Sequence, residues 1–262
     1  MNLNRSSKAL FVLVVVAVAA VAPAVAAPTV TGDVPDSAKV GAQQDVTFTV
    51  PSDGLYSDYD QWTLGGQTEL TNVSWTVTAY DNTDTKIDQQ TYTGQSFEYQ
   101  VRSDEGVSKL TVRLQGATPA VEQYQYEPAQ SFTFATFTQS QQGGSSTVLK
   151  AWQDVRPYTE QSQEARNAIE AAEQSISDAQ AAGADTGEAE QLVGNAVNAY
   201  NKGNFDNAID LANQAEQNAE SAQQSNQLLT YALIGVGVLV LLGVVVGGVW
   251  YYRQNQGPSQ PF

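Results

Sequence analysis

Two pairs of carboxylates are the first candidates for chemistry. Asp58-x-Asp60 and Asp81-x-x-Asp84 set acidic side chains one or two residues apart on segments that read as loops. Oxygen-rich loops bind Ca²⁺. A complete calcium loop needs more ligands and a glycine at fixed offsets, and neither pair has them. The simpler reading of all four residues is a solvated acidic turn. Paired carboxylates also cleave glycosides, but a chain with 28 Asp and Glu offers no reason to single out one pair.

The other catalytic options close quickly. The chain has no Cys and no His. That excludes disulfides, thiolate chemistry, His-containing triads and His or Cys zinc sites. No P-loop, dinucleotide fingerprint, G-x-S-x-G elbow or metal-binding helix motif occurs. No catalytic residue, resident metal or cofactor is therefore assigned, and the expectation is a protein that is not an enzyme.

Binding residues are easier to find. Pro51 to Asn72 forms a long connection that carries Tyr56, Tyr59 and Trp62 among Asp53, Asp58 and Asp60. Connections of that length are uncommon unless they are functional or disordered. Aromatics mixed with polar groups are what binding surfaces use. The competing reading folds Trp62 and Leu64 back as an extra edge strand. Asn72-Val73-Ser74 is a sequon, which makes Asn72 a candidate for N-glycosylation.

The elements that position these residues fall into two halves. Polar–apolar alternation marks strands at Asp45–Val50, Val73–Tyr80, Ser108–Leu114 and Ser131–Ala135, with weaker ones at Ala38–Val40, Ile87–Tyr92 and Phe97–Val101. Residues 27–140 are thus expected to form an all-β sandwich. Trp75 on a central strand resembles the core Trp of immunoglobulin-like domains; without the flanking cysteines the likeness is to architecture only, Ig-like or fibronectin-III-like. Residues 141–157 read as a linker, with Lys150–Pro157 able to add a last strand. Residues 158–227 read as an all-α antiparallel bundle or stalk. Ala165, Ile169, Ala172, Ile176 and Ala179 make one apolar stripe, Gly183 ends that helix, and Asp185 with Glu188 suggests a capping box for the next.

Both ends are apolar. Arg5 and Lys8 precede an uncharged run and Ala24-Val25-Ala26, which predicts a signal peptide over 1–26. Leu228 to Trp250 is a charge-free run followed by Tyr251, Tyr252 and Arg253. It predicts a transmembrane helix over 228–252 and a cytoplasmic tail over 253–262. The localisation expected is the cell membrane, single-pass, with the body extracellular. Gly243 and Gly247 form a GxxxG pattern, which suggests a homodimer through the membrane helix.

All 28 acidic residues lie between Asp33 and Glu220, with nine of the 12 basic ones, and the chain's net charge is −16. Such a surface repels nucleic acid and anionic lipid. Acid-rich, Lys-poor composition resembles that of proteins from salt-loving archaea. Within the helical half, Tyr200, Gly203, Phe205, Ala208 and Ile209 resemble a tetratricopeptide repeat, taken over 189–222. That resemblance implies two helices locked by the tyrosine, glycine, aromatic and alanine. A binding solenoid needs about three repeats, and one clear copy is present. The whole plan resembles the membrane-anchored surface proteins of salt-loving archaea. The function this implies is a non-enzymatic cell-surface or envelope protein whose head makes protein–protein contacts. The alternative is a ligand- or substrate-binding accessory or sensor subunit of a membrane complex.

Overall fold

A computed structural model of the chain describes residues 27–141 and 144–226. Among the described residues, ten strands precede three α-helices. The strands are β1 (Ser37–Lys39), β2 (Gln43–Val50), β3 (Gln61–Gln67), β4 (Thr71–Tyr80), β5 (Lys86–Thr93), β6 (Ser96–Arg102), β7 (Lys109–Ala117), β8 (Ala135–Ser140), β9 (Ser146–Trp152) and β10 (Arg156–Tyr158). The helices are α1 (Glu160–Ala181), α2 (Gly187–Asn201) and α3 over 205–226.

Two four-stranded antiparallel sheets, ordered β2-β7-β4-β5 and β6-β3-β8-β9, carry most of the strands. Their period-2 patterns point one face inward. Phe48, Val50, Trp75, Val77, Phe97, Val101, Val112 and Phe137 are all buried there. Rings meet across the layers: Phe48 of β2 lies 4.9 Å from Phe137 of β8, and Trp75 of β4 lies 5.0 Å from Phe97 of β6. Such tilted or edge contacts match the quadrupoles of the rings.

The expected plan of an all-β domain, a linker and a separate all-α bundle is corrected by the structure, which is a mixed β/α arrangement. The segment read as linker holds β9, which extends a main sheet, and β10, which pairs in parallel with β1. The β1–β10 ladder runs straight into α1. Thr159 caps that helix, exchanging hydrogen bonds with Ser162 in a capping box. Lys39 of β1 pairs with Glu160 at the first turn of α1. Composition misled here: Gly and Ser mark a flexible segment only when no neighbouring strand edge supplies hydrogen bonds.

The helices are amphipathic. Ala165, Ile169, Ala172, Ile176 and Ala179 of α1 are all buried. They pack against Ala189, Ala196 and Ala199 of α2 and Ala208, Ala212, Ala215 and Ala219 of α3. Alanine on every contact face lets helix backbones approach closely. Among the described residues, no helix is long and apolar enough to cross a membrane. The acids and amides on the outer faces of these helices are the reason. That finding overturns the expected single-pass membrane keywords and the localisation built on them. The expected signal peptide, the span over 228–252, the tail and the Gly243 and Gly247 packing face lie outside the described residues.

Two local readings also change. The strand expected at Ser131–Ala135 reduces to a bridge between Phe132 and Val155, and β8 begins where that reading ended. The capping box expected at Asp185 and Glu188 is replaced. Asp185 accepts from the Gly187 N–H, and the Thr186 hydroxyl donates to Glu190.

Candidate interaction surfaces

The connection 51–60 is anchored rather than loose. Leu55 is buried, and its carbonyl accepts from the indole N–H of Trp62 at 2.9 Å. Trp62 lies on β3 and is 1% exposed. Its strand is not an edge: β3 sits between β6 and β8. The Tyr56 hydroxyl reaches the carbonyls of Arg102 and Val107, each at 2.9 Å. Burial and the nearby Glu105 and Asp104 push its pKa up to about 12. Of the three aromatic candidates only Tyr59 faces solvent, at 38% exposure, with Asp58 and Asp60 exposed on either side.

The acidic turns have structural partners. The Asp81 carboxylate accepts from the Thr83 N–H, the Thr83 hydroxyl and the Thr85 N–H at 2.7 to 2.9 Å. It caps the β4–β5 turn as an Asx turn does. Asp84, at φ 63°, pairs with Lys109 of β7. Among the described residues, no group of three or more acidic side chains is placed to hold a metal ion. The Thr83 hydroxyl, then the Thr85 and Thr83 N–H groups, hold the Asp81 carboxyl below its ordinary range. A pKa lowered in the folded state stabilises above the unfolded value and loses that effect as pH falls through the folded one. Asp81→Asn is therefore expected to lower the melting temperature near neutral pH, with the gap to the parent narrowing as pH falls below the ordinary carboxylate range and the folded-state carboxyl takes up its proton. Thermal melts at neutral and acidic pH check this.

Asn72 is exposed at a bulge near the start of β4, where φ is 53° and the register against β7 shifts. Asn tolerates that left-handed conformation better than most residues.

The residues that carry the tetratricopeptide resemblance sit at the α2–α3 turn. Gly203 has φ 73°, a conformation that favours glycine. Tyr200 is 0% exposed, and its ring lies 5.4 Å from Phe205. Two more rings arrive from the β7–β8 connection. Tyr124 lies 4.7 Å from Phe205, and Tyr126 lies 5.7 Å from Tyr200. Arg166 of α1 closes the cluster. Its guanidinium stands 4.3 Å over Tyr126 and 5.7 Å over Tyr200, donates to the Tyr126 carbonyl and pairs with Glu170. The Tyr126 hydroxyl donates to Glu173 at 3.0 Å, and its N–H donates to Asn201 at 2.7 Å.

The sequence reading missed this clamp. Its only signal was two tyrosines in an otherwise Gln- and Glu-rich stretch. Among the described residues the Tyr200 hydroxyl is buried without a hydrogen-bond partner. An unpaired buried hydroxyl costs free energy, so Tyr200→Phe is expected to stabilise the fold by about 1 kcal/mol. A urea unfolding midpoint shifted upward at unchanged slope is the supporting result.

No protein-family model matches the chain, and no curated protein matches it. Among solved structures the chain is similar to the sporulation control protein Spo0M from Bacillus subtilis, at 13% identity and a TM-score of 0.29. The likeness covers 55% of this chain and 55% of that one, about half of each. A score that low supports no transfer of fold or function.

Proposed function

We propose that this chain is a non-enzymatic interaction protein. The sandwich presents Tyr59 to a protein partner, and the docked helices hold the sandwich in a fixed orientation. The observation that carries this is the pairing of an exposed aromatic with an anchored loop. Leu55, Tyr56 and Trp62 tie the segment to the core, so Tyr59 is held out without a large ordering cost on binding. Rigid aromatics of this kind supply most of the energy in many protein interfaces. The flanking Asp58 and Asp60 favour a partner that is basic where it meets them.

The resemblance to surface proteins of salt-loving archaea belongs to the same proposal. An excess of acid over base is tolerated best where salt shortens the Debye length to about 3 Å, as at 1 M.

The test replaces Tyr59 by a photo-cross-linking residue in the full chain in its native host. A specific cross-linked protein is expected. Tyr59→Ala should weaken capture of that protein about tenfold or more while leaving the unfolding midpoint of the chain unchanged. Equal capture by the alanine variant would remove Tyr59 from the interface.

A further inference from the structure

The outer face of the sheet β6-β3-β8-β9 carries a trough that the contact at Tyr59 does not use. Its rows follow from the register. Glu98, Gly65, Thr138 and Val148 lie side by side across the four strands. Gln100, Thr63, Ser140 and Ser146 form the next row, and Ser96, Gln67 and Thr136 form the row on the other side. Gly65 lies at the centre. A Cβ there would stand 2.6 Å from the Thr138 hydroxyl, which would have to turn aside, so glycine keeps the floor of the trough open. The depression holds about 600 Å³, with Tyr92 of β5 among the residues that line it. A second of about 390 Å³, lined by Gln61, Thr63 and Gln100, continues it along β3.

The chemistry of this face departs from the rest of the molecule. The chain carries 28 acids, yet across the three rows the sole carboxylate is Glu98. The other polar side chains are hydroxyls and amides, which both donate and accept. Thr63, Gln67, Glu98, Thr138 and Ser140 make no side-chain hydrogen bond to another described residue. Val148, 60% exposed, supplies limited apolar surface.

Three ligand classes fit poorly. A cation would meet a single carboxylate. A polyphosphate or nucleic acid would find no base within the three rows, and the one arginine beside them, Arg102 opposite Gln61, already donates to Gln100 and pairs with Glu105. A protein hot spot needs a larger apolar centre. An uncharged chain of hydroxyl-bearing rings fits each feature: length for the elongated trough, no charge to desolvate, and hydroxyls for an array of amides, hydroxyls and one carboxylate.

We infer that this trough binds a neutral polysaccharide, with Glu98 accepting from sugar hydroxyls and Gly65 giving the chain room to lie against β3. The inference is independent of the partner contact at Tyr59.

Affinity electrophoresis of the full chain through native gels containing a soluble β-glucan, an α-mannan or a xylan tests it, with dextran sulfate as the charged control. Retardation by at least one neutral polymer and none by dextran sulfate is expected. Glu98→Ala, an exposed change on an edge strand, should weaken that retardation about tenfold, as loss of one charge-assisted hydrogen bond does. Gly65→Val should abolish it. Thr138→Trp provides a second blocking variant in case Gly65→Val does not fold. No retardation by any neutral polymer, or equal retardation of the Glu98→Ala and Thr138→Trp variants, would overturn the assignment. So would capture of the cross-linked protein partner that depended on Glu98 while the polysaccharides had no effect.

Discussion

Trp75→Ala is expected to cost about 3–5 kcal/mol, the range for removing a large buried aromatic. A domain of ordinary stability holds about 5–15 kcal/mol in all, so the variant should be marginal or unfolded near 37 °C. Trp75 is fully buried on β4, which lies between β7 and β5. Its ring contacts Phe97 of β6 at 5.0 Å and Phe137 of β8 at 6.1 Å, both in the opposite sheet. Its indole N–H donates to the Gly94 carbonyl at 3.1 Å. Gly94, at φ 103°, makes the turn where the chain leaves one sheet and enters the other. The alanine variant would open a cavity between the layers and leave that turn without its tie. Trp75→Phe keeps most of the volume and loses the hydrogen bond, so its cost should fall well below that of alanine. Urea unfolding followed by helical circular dichroism would measure both. A midpoint for Trp75→Ala within the error of the parent would show that the sheets are not held together through this residue.

Arg166→Ala should cost about 3 kcal/mol and also change the form of the transition. A partly desolvated cation–π contact contributes roughly 0.5–2 kcal/mol. A hydrogen bond from a charged group adds about 1.5–3 kcal/mol. Arg166 has both, with a side chain only 11% exposed, and it joins α1 to a tyrosine on the β7–β8 connection. Without it, the helices should lose their hold on the sandwich. Trp62, Trp75 and Trp152 all report on the sandwich. Helical circular dichroism reports on the other half. In the parent the two signals should melt together, as one cooperative unit does. In Arg166→Ala the helical signal should melt first. Arg166→Lys keeps the charge without the planar stack and should fall between the two. Coincident transitions at the parent's midpoint in the alanine variant would rule out the clamp.

Much of the fold could be read from local pattern. The alternating runs at β2, β4 and β7 were recognisable because one face of each is buried and the other wet. The alanine stripe of α1 was recognisable for the same reason at helical spacing. β3 was harder. Gly65 and Gly66 break its alternation of side chains, and both glycines have neighbours crowding the place of a side chain: Thr138 over one, the ring of Phe97 over the other. β9 and β10 fell in a segment read as linker, with Lys150–Pro157 left open as a last strand, because the Gly- and Ser-rich run before them marked flexibility. The candidate sites divide in the same way. Tyr56, Tyr59 and Trp62 look alike in sequence, but only Tyr59 is exposed, because the other two meet carbonyls that the fold brings to them.

Composition and periodicity by themselves closed off His and Cys chemistry, located most of the strands and gave the helices their buried faces. Each of those depends on residue type or on neighbours a few positions away. Asp81 and Asp84 show the limit. As a pair of acids on a turn they read as a solvated turn, with a cation as the alternative, and the fold gave one of them three donors and the other a lysine from β7. The joining of sandwich to helices shows it again. It depends on Tyr126 meeting Arg166, 40 residues further along, and on β1 meeting β10. A residue's type sets which interactions it is able to make, but burial and pairing between distant segments are properties of the packed chain, and no local pattern carries them.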